Sequence, residues 1–144
     1  MKESYPWLPD TSWRELAPFW EGLRRGQLML PRCPRCGRFQ WYPQAMCPGC
    51  RHIGLEWVQV APYGRVYTYT VLRRSFVPGF EGRLPLIIAF VEMEEAPGPR
   101  LITNLIDADE EEVAVGAPVE IVFREVGSDV TLPFARLRRK GGNT

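Results

Sequence analysis

Histidine is almost missing from this chain: His52 is the only one among 144 residues. A Ser-His-acid triad would have to be built on it. There is no Gly-x-Ser-x-Gly elbow, no Gly-rich phosphate loop and no dinucleotide fingerprint. No apolar run approaches the roughly 20 residues of a membrane-spanning helix. Met1 to Asp10 lacks the basic stretch and apolar stretch of a signal peptide. Charge of one sign is also lacking. The net charge of +1 argues against polyanions and anionic membranes as partners. The chain reads as cytoplasmic, without a membrane association, and as no complete enzyme by itself. What is present suffices for a core: 45% of residues are hydrophobic and 24% charged, which argues against disorder.

Four cysteines stand out against these absences. They form Cys33-Pro34-Arg35-Cys36-Gly37 and Cys47-Pro48-Gly49-Cys50, two Cys-x-x-Cys pairs ten residues apart. A two-residue gap lets one tight turn aim both sulfurs at a single point, and two such knuckles supply four thiolates for tetrahedral Zn²⁺. Gly37 suits a turn that needs positive φ, and Pro34, Pro48 and Gly49 favour the same sharp geometry. Four protein ligands close the shell, so the metal reads as structural. Two disulfides, a single iron of the rubredoxin type and a redox dithiol remain open as rivals. His52 is a possible substitute ligand. No Asp or Glu lies between Leu28 and Leu55.

Residues 1–27 read as a helical arm. Ser12 and Glu15 have capping-box spacing, which places a helix start near Trp13. Pro18 either interrupts that helix or opens a second piece. Leu16, Phe19, Trp20 and Leu23 share one helical face, and Gly26 is the stop. Residues 28–54 hold the cysteines. From Leu55 the signals turn to strands: Leu55 to Ala61 and Gly64 to Leu72, with Gly64 as a bend or bulge in one long strand. Further strands follow at Leu86 to Met93, Arg100 to Ile106, Val119 to Val126 and Leu132 to Arg138. Ala96 to Pro99 reads as a turn, and Asp107 to Val115 as one or two helical turns. Gly127, Ser128 and Asp129 form a tight turn, and residues 139–144 a mobile tail. The fold class is mostly β, with strand order matching a five-stranded OB-fold over 55–138. Another small β-barrel is the alternative.

The chain resembles a family that joins a helical arm, a rubredoxin-like zinc ribbon and an OB-fold. This is the acyl-CoA-associated family long filed as domain-of-unknown-function family thirty-five. The resemblance runs from about Trp13 to Arg138. It rests on Pro18-Phe19-Trp20-Glu21-Gly22-Leu23, on Leu30 to Gly37, on Tyr42-Pro43 and on Cys47 to Cys50. In the barrel it rests on Gly64 to Thr70 and Val115 to Val119. It implies a non-catalytic accessory subunit in a hetero-oligomer with a thiolase-like enzyme: an acyltransferase, a condensing enzyme or a steroid side-chain aldolase. A hot-dog-fold hydratase is a further implied partner. The partner would carry the nucleophile and acid-base groups, while this subunit would buttress it and help to form the CoA channel. The four cysteines are the residues carried over from the family.

A CoA thioester needs cations for its phosphates and an apolar path for its pantetheine arm. Arg73, Arg74 and Arg83, interleaved with Phe76 and Phe80, offer that mixture at a subunit junction. The bland reading is a solvated loop. Trp13, Phe19 and Trp20, with Trp7, are candidates for docking a partner or for covering their own chain. The rival function is binding of single-stranded nucleic acid, with Tyr67, Tyr69 and Phe90 stacking bases. The basic cluster Arg136, Arg138, Arg139 and Lys140 is offset by the acidic run Asp107 to Glu112, so a basic stripe is missing.

Overall fold

The computed structural model describes residues 5–127 and 129–139; the tail read from Lys140 onward and Ser128 of the tight turn lie outside the described residues. Helix α1 spans Ala17–Arg24, after a single 3₁₀ turn at Arg14–Leu16. Pro18 lies in its first turn, where a missing N–H breaks no helical bond. The expected capping box is not made: Ser12 donates to the Asp10 carboxylate at 2.6 Å, and Trp13 holds the cap position without a side-chain bond. Leu16, Phe19 and Leu23 are buried on one face, as their spacing requires, and Trp20 packs against the same core. Gly26, at φ 72°, ends the helix. Gly22 permits a close approach to the next strand, since a Cβ there would lie 2.5 Å from Met29 Cγ.

Two strands form a small sheet of their own. β1 (Leu28–Arg32) pairs antiparallel with β2 (Glu56–Val60), and Arg32 meets Glu56 at 2.7 Å. The expected continuation of 55–61 into a barrel strand is not realised. β2 turns instead to the cysteine segment, and the chain breaks at Ala61 and Pro62, whose backbone groups bond Glu95 and Ile121. β1 has no clear signal in the sequence, because Pro31 interrupts it and its partner lies beyond both cysteine pairs.

The barrel comprises β3 (Tyr63–Leu72), β4 (Leu86–Met93), β5 (Ala96–Ile106), β6 (Pro118–Val126) and β7 (Val130–Leu137). It closes in the order β3-β4-β5-β7-β6, with β6 returning to β3 and with β5 and β7 parallel. This is the mostly β, five-stranded OB-type barrel expected from the strand order. Alternate residues Ile87, Ala89, Val91 and Met93 point inward and are buried, as a pleated strand with one wet face demands. The register shift falls between Val66 and Thr68, two residues beyond Gly64. The turn expected at Ala96 to Pro99 is displaced to Glu94 and Glu95, because Ala96 pairs with Met93 inside the sheet. Pro97 and Pro99 then fall in the irregular stretch between the Met93–Ala96 and Val91–Leu101 pairs, where the ladder to β4 is interrupted. The acidic segment contributes one 3₁₀ turn, Glu110–Glu112, capped by Asp109 with Glu112 reaching back.

Candidate metal centre and its surroundings

The two cysteine pairs fold into matching knuckles. Gly37 N–H donates to Cys33 O and Arg51 N–H to Cys47 O, each at 2.9 Å. Gly37 (φ 78°) and Arg51 (φ 68°) both adopt the left-handed conformation that ends such a turn. The glycine was legible as a turn residue; Arg51 was not, since nothing in its identity favours positive φ. Each knuckle is closed by a second bond, Cys33 N–H to Arg38 O and Cys47 N–H to His52 O. Together they bring the four sulfurs within 4.8 Å of one another.

The separations exclude disulfides and fit a tetrahedral metal site. Cys33 Sγ lies 3.6 Å from Cys50 Sγ, and Cys36 Sγ lies 3.6 Å from Cys47 Sγ. A disulfide requires about 2.05 Å. A tetrahedron of thiolates about 2.3 Å from Zn²⁺ has edges near 3.8 Å. The backbone is arranged for thiolates as well. The Cys36 N–H, followed by that of Arg35, holds Cys33 below its usual range against the opposing cost of burial. The Cys50 N–H, with that of Gly49, lowers Cys47 to about 6, again against burial. Cys50 is favoured by the His52 N–H, yet burial and the three neighbouring sulfurs push it up to about 11. Four sulfurs this close cannot all be anionic without a cation between them. The residues fit a structural zinc; with all four positions filled by cysteine, they leave none for a substrate. His52 is half-buried beside the second knuckle, and the cluster assembles without it.

The other candidate residues disperse. Arg73 forms a two-point ion pair with Glu110, and Arg83 lies over the Tyr5 ring at 4.8 Å. Phe80 packs edge-on against Tyr5, with centroids 5.7 Å apart. Arg74 is exposed and Phe76 is 91% exposed, so the loop presents these two side chains to solvent. In the arm, Trp13 is exposed, but Phe19 is buried against Trp20 and Trp41 and is part of this chain's own core rather than an open docking surface.

The acidic run is engaged in ion pairs: Asp107 with Arg124, Glu110 with Arg73 and Glu112 with Arg139. Arg136 is likewise paired with Glu120, and Arg138 stacks over Tyr63. Tyr67 carries Arg100 over its face at 3.8 Å, and Tyr69 donates its hydroxyl to Val113 O. Of the three rings that could stack bases, Tyr67 has Arg100 over its face but stays exposed, Tyr69 is half-buried and Phe90 is exposed. Among the described residues, the cysteine cluster is the one group of three or more His, Cys, Asp or Glu able to hold a metal. No described helix is long and apolar enough to cross a membrane.

Comparison with known proteins extends this geometry. Residues 20–53 match the family model described as "ChsH2, rubredoxin-like zinc ribbon domain", and residues 57–124 match "ChsH2, C-terminal OB-fold domain". A DUF35 domain-containing scaffold protein of Methanocaldococcus jannaschii is 34% identical over 119 residues, covering 82% of this chain and 78% of that protein. A probable enoyl-CoA hydratase alpha subunit of Thermomonospora curvata is 32% identical over 123 residues, which is 85% of this chain but 37% of that longer protein. Among solved structures, a chain of the Ltp2-ChsH2(DUF35) aldolase superposes with a TM-score of 0.78 at 30% identity, covering 90% of this chain and 98% of that one.

Proposed function

This chain belongs to the DUF35 family of ChsH2-type zinc-ribbon and OB-fold proteins, and on that premise we propose that it is a non-catalytic accessory subunit of an enzyme acting on acyl-CoA thioesters. The observation that carries the proposal is the whole-length likeness to a chain assembled in an aldolase. It is joined to a fold in which the one ligand set assembled among the described residues is four cysteines that would close a metal's shell. The scaffold name of the archaeal relative points the same way. Zinc holds the ribbon, the ribbon anchors α1 and β2, and the barrel offers its outer face to the partner. The partner is a thiolase-like enzyme that supplies the nucleophile and acid-base groups, with a hot-dog-fold hydratase as a further companion.

The exposed part of the β3–β4 loop is the proposed contact with CoA. Arg74 and Phe76 stand free of the barrel there, and Arg73 is held beside them by Glu110, which a phosphate would replace. The test is reconstitution. The zinc-loaded chain is mixed with a thiolase-like subunit from the same cell, the complex is weighed by native mass spectrometry, and acyl-CoA turnover is compared with and without this chain. A stoichiometric complex whose activity or stability depends on the chain supports the reading. A chain that stays monomeric beside every such enzyme, or that turns over acyl-CoA alone, refutes it.

A further inference from the structure

A cleft of about 560 Å³ opens where three parts of the chain that are distant in sequence converge. Its roof is the segment before the helix, Tyr5 to Pro9. One wall is Trp41 and Tyr42 of the ribbon, with Phe19 and Trp20 of α1 behind them, and the floor is Ile102 to Asn104 of β5 and Leu132 to Phe134 of β7. The volume lies within the roughly 300–1,000 Å³ of small-molecule sites.

Two properties define what fits. First, none of the lining residues carries a charge. The phosphates of CoA would have no cation there, and an isolated ion would lose its hydration without compensation. Secondly, several polar side-chain atoms of the lining are already bonded within the chain. Tyr5 OH donates to Asn104 Oδ1 at 2.8 Å, Trp7 Nε1 to Pro78 O at 3.1 Å and Thr103 Oγ1 to Pro133 O at 2.7 Å. The indole N–H of Trp20, in the wall of the cleft, is buried without a protein partner among the described residues and remains for a ligand. The apolar surfaces of Trp7, Tyr42 and Ile102 stay open, at 59%, 48% and 58% exposure. The aromatic wall is interlocked: Phe19 and Trp41 are tilted by 47° with centroids 4.6 Å apart, and Trp41 and Tyr42 meet edge-on with centroids 5.9 Å apart.

From this we infer that the cleft is a binding site for a neutral, flat, predominantly apolar small molecule with one or two hydrogen-bonding groups. Resting on the function proposed above, its occupant is the acyl part of the CoA thioester and not the nucleotide end. The loop at Arg74 and Phe76 and this cleft then serve opposite ends of one substrate.

The test uses the full zinc-loaded chain and progesterone, a neutral tetracyclic ketone, as probe. Trp7, Trp20 and Trp41 line the cleft, so tryptophan fluorescence reports occupancy, and native mass spectrometry counts the ligand. The expected result is saturable one-to-one binding. Ile102→Glu, at an exposed position, weakens it about tenfold or more by placing a charge in the apolar floor. Val115→Glu, 68% exposed and outside the cleft, leaves it unchanged. Absence of saturation, equal affinity in Ile102→Glu, competition by free CoA, or complete displacement of the probe by the partner enzyme would each overturn the inference. Displacement would make the cleft a protein interface. A chain that assembles with its partner but ignores the probe loses the cleft and keeps the accessory role; one that binds the probe but assembles with nothing does the reverse.

Discussion

Replacing Cys47 by serine tests whether the ribbon depends on metal. Cys47 is fully buried, its sulfur is 3.6 Å from that of Cys36, and backbone N–H groups are aimed at it. Structural zinc in small peptides contributes about 10–16 kcal/mol, or about 2.5–4 kcal/mol for each of four ligands. A loss of about 3 kcal/mol lowers the midpoint of thermal unfolding by roughly 6–12 °C in a chain of this size. The loss is felt by the whole chain, because Leu28 and Leu30 of β1 and Val60 of β2 belong to the same buried cluster as Val66, Ile87 and Val119 of the barrel. The assay is calorimetry of wild type and Cys47→Ser, with metal measured on the same samples and thiols counted by a chromogenic reagent. The wild type is expected to hold one zinc and to shield its thiols until a chelator is added. A serine variant with an unchanged midpoint and a full zinc equivalent would refute the reasoning, as would a wild type whose cysteines are disulfides or whose metal is iron.

Phe19→Ala empties a site that is 4% exposed and should cost about 3–5 kcal/mol in urea unfolding, while Trp13→Ala, at 56% exposure, should stay within about 0.5 kcal/mol. If Trp13 docks the partner, that second variant weakens assembly without weakening the fold; deleting the whole arm cannot make this distinction, because it removes Leu16, Phe19 and Leu23 from the core. Arg74→Glu is expected to lower acyl-CoA affinity of the assembled enzyme while leaving the unfolding midpoint of this chain unchanged, and equal affinity would remove the loop from the CoA path. Glu112 is held below its usual 4.5 by the Asp109 N–H and then by Arg139. Its folded value is depressed, so its contribution is present above 4.5 and is lost as pH falls through the lower value. A carboxyl ¹³C titration should place its midpoint below 4.5, and Arg139→Ala should move it part of the way back.

The sequence determined what is settled over a few residues. Two Cys-x-x-Cys pairs fix two knuckles because a two-residue turn leaves the sulfurs almost no other direction. The 3.6-residue spacing of Leu16, Phe19 and Leu23 fixes the buried face of α1, and the alternation from Ile87 to Met93 fixes the inward face of β4. The order of strands followed from turn residues at the ends of apolar runs. The tertiary structure decided what depends on partners far along the chain. Glu56 to Val60 is a good strand by composition, but only the position of Leu28 to Arg32 assigns it to the ribbon sheet instead of the barrel. Ala96 enters the sheet despite the Pro-Gly-Pro that follows, because its register against Met93 outweighs local turn preference. Arg73 loses its apparent freedom to Glu110, 37 residues away. The apolar cleft was invisible for the same reason: Tyr5, Tyr42, Ile102 and Phe134 share no local pattern and meet only after the arm, ribbon and barrel have packed. Local spacing constrains dihedral angles and faces, whereas a surface shared by distant segments exists only once the chain has closed on itself.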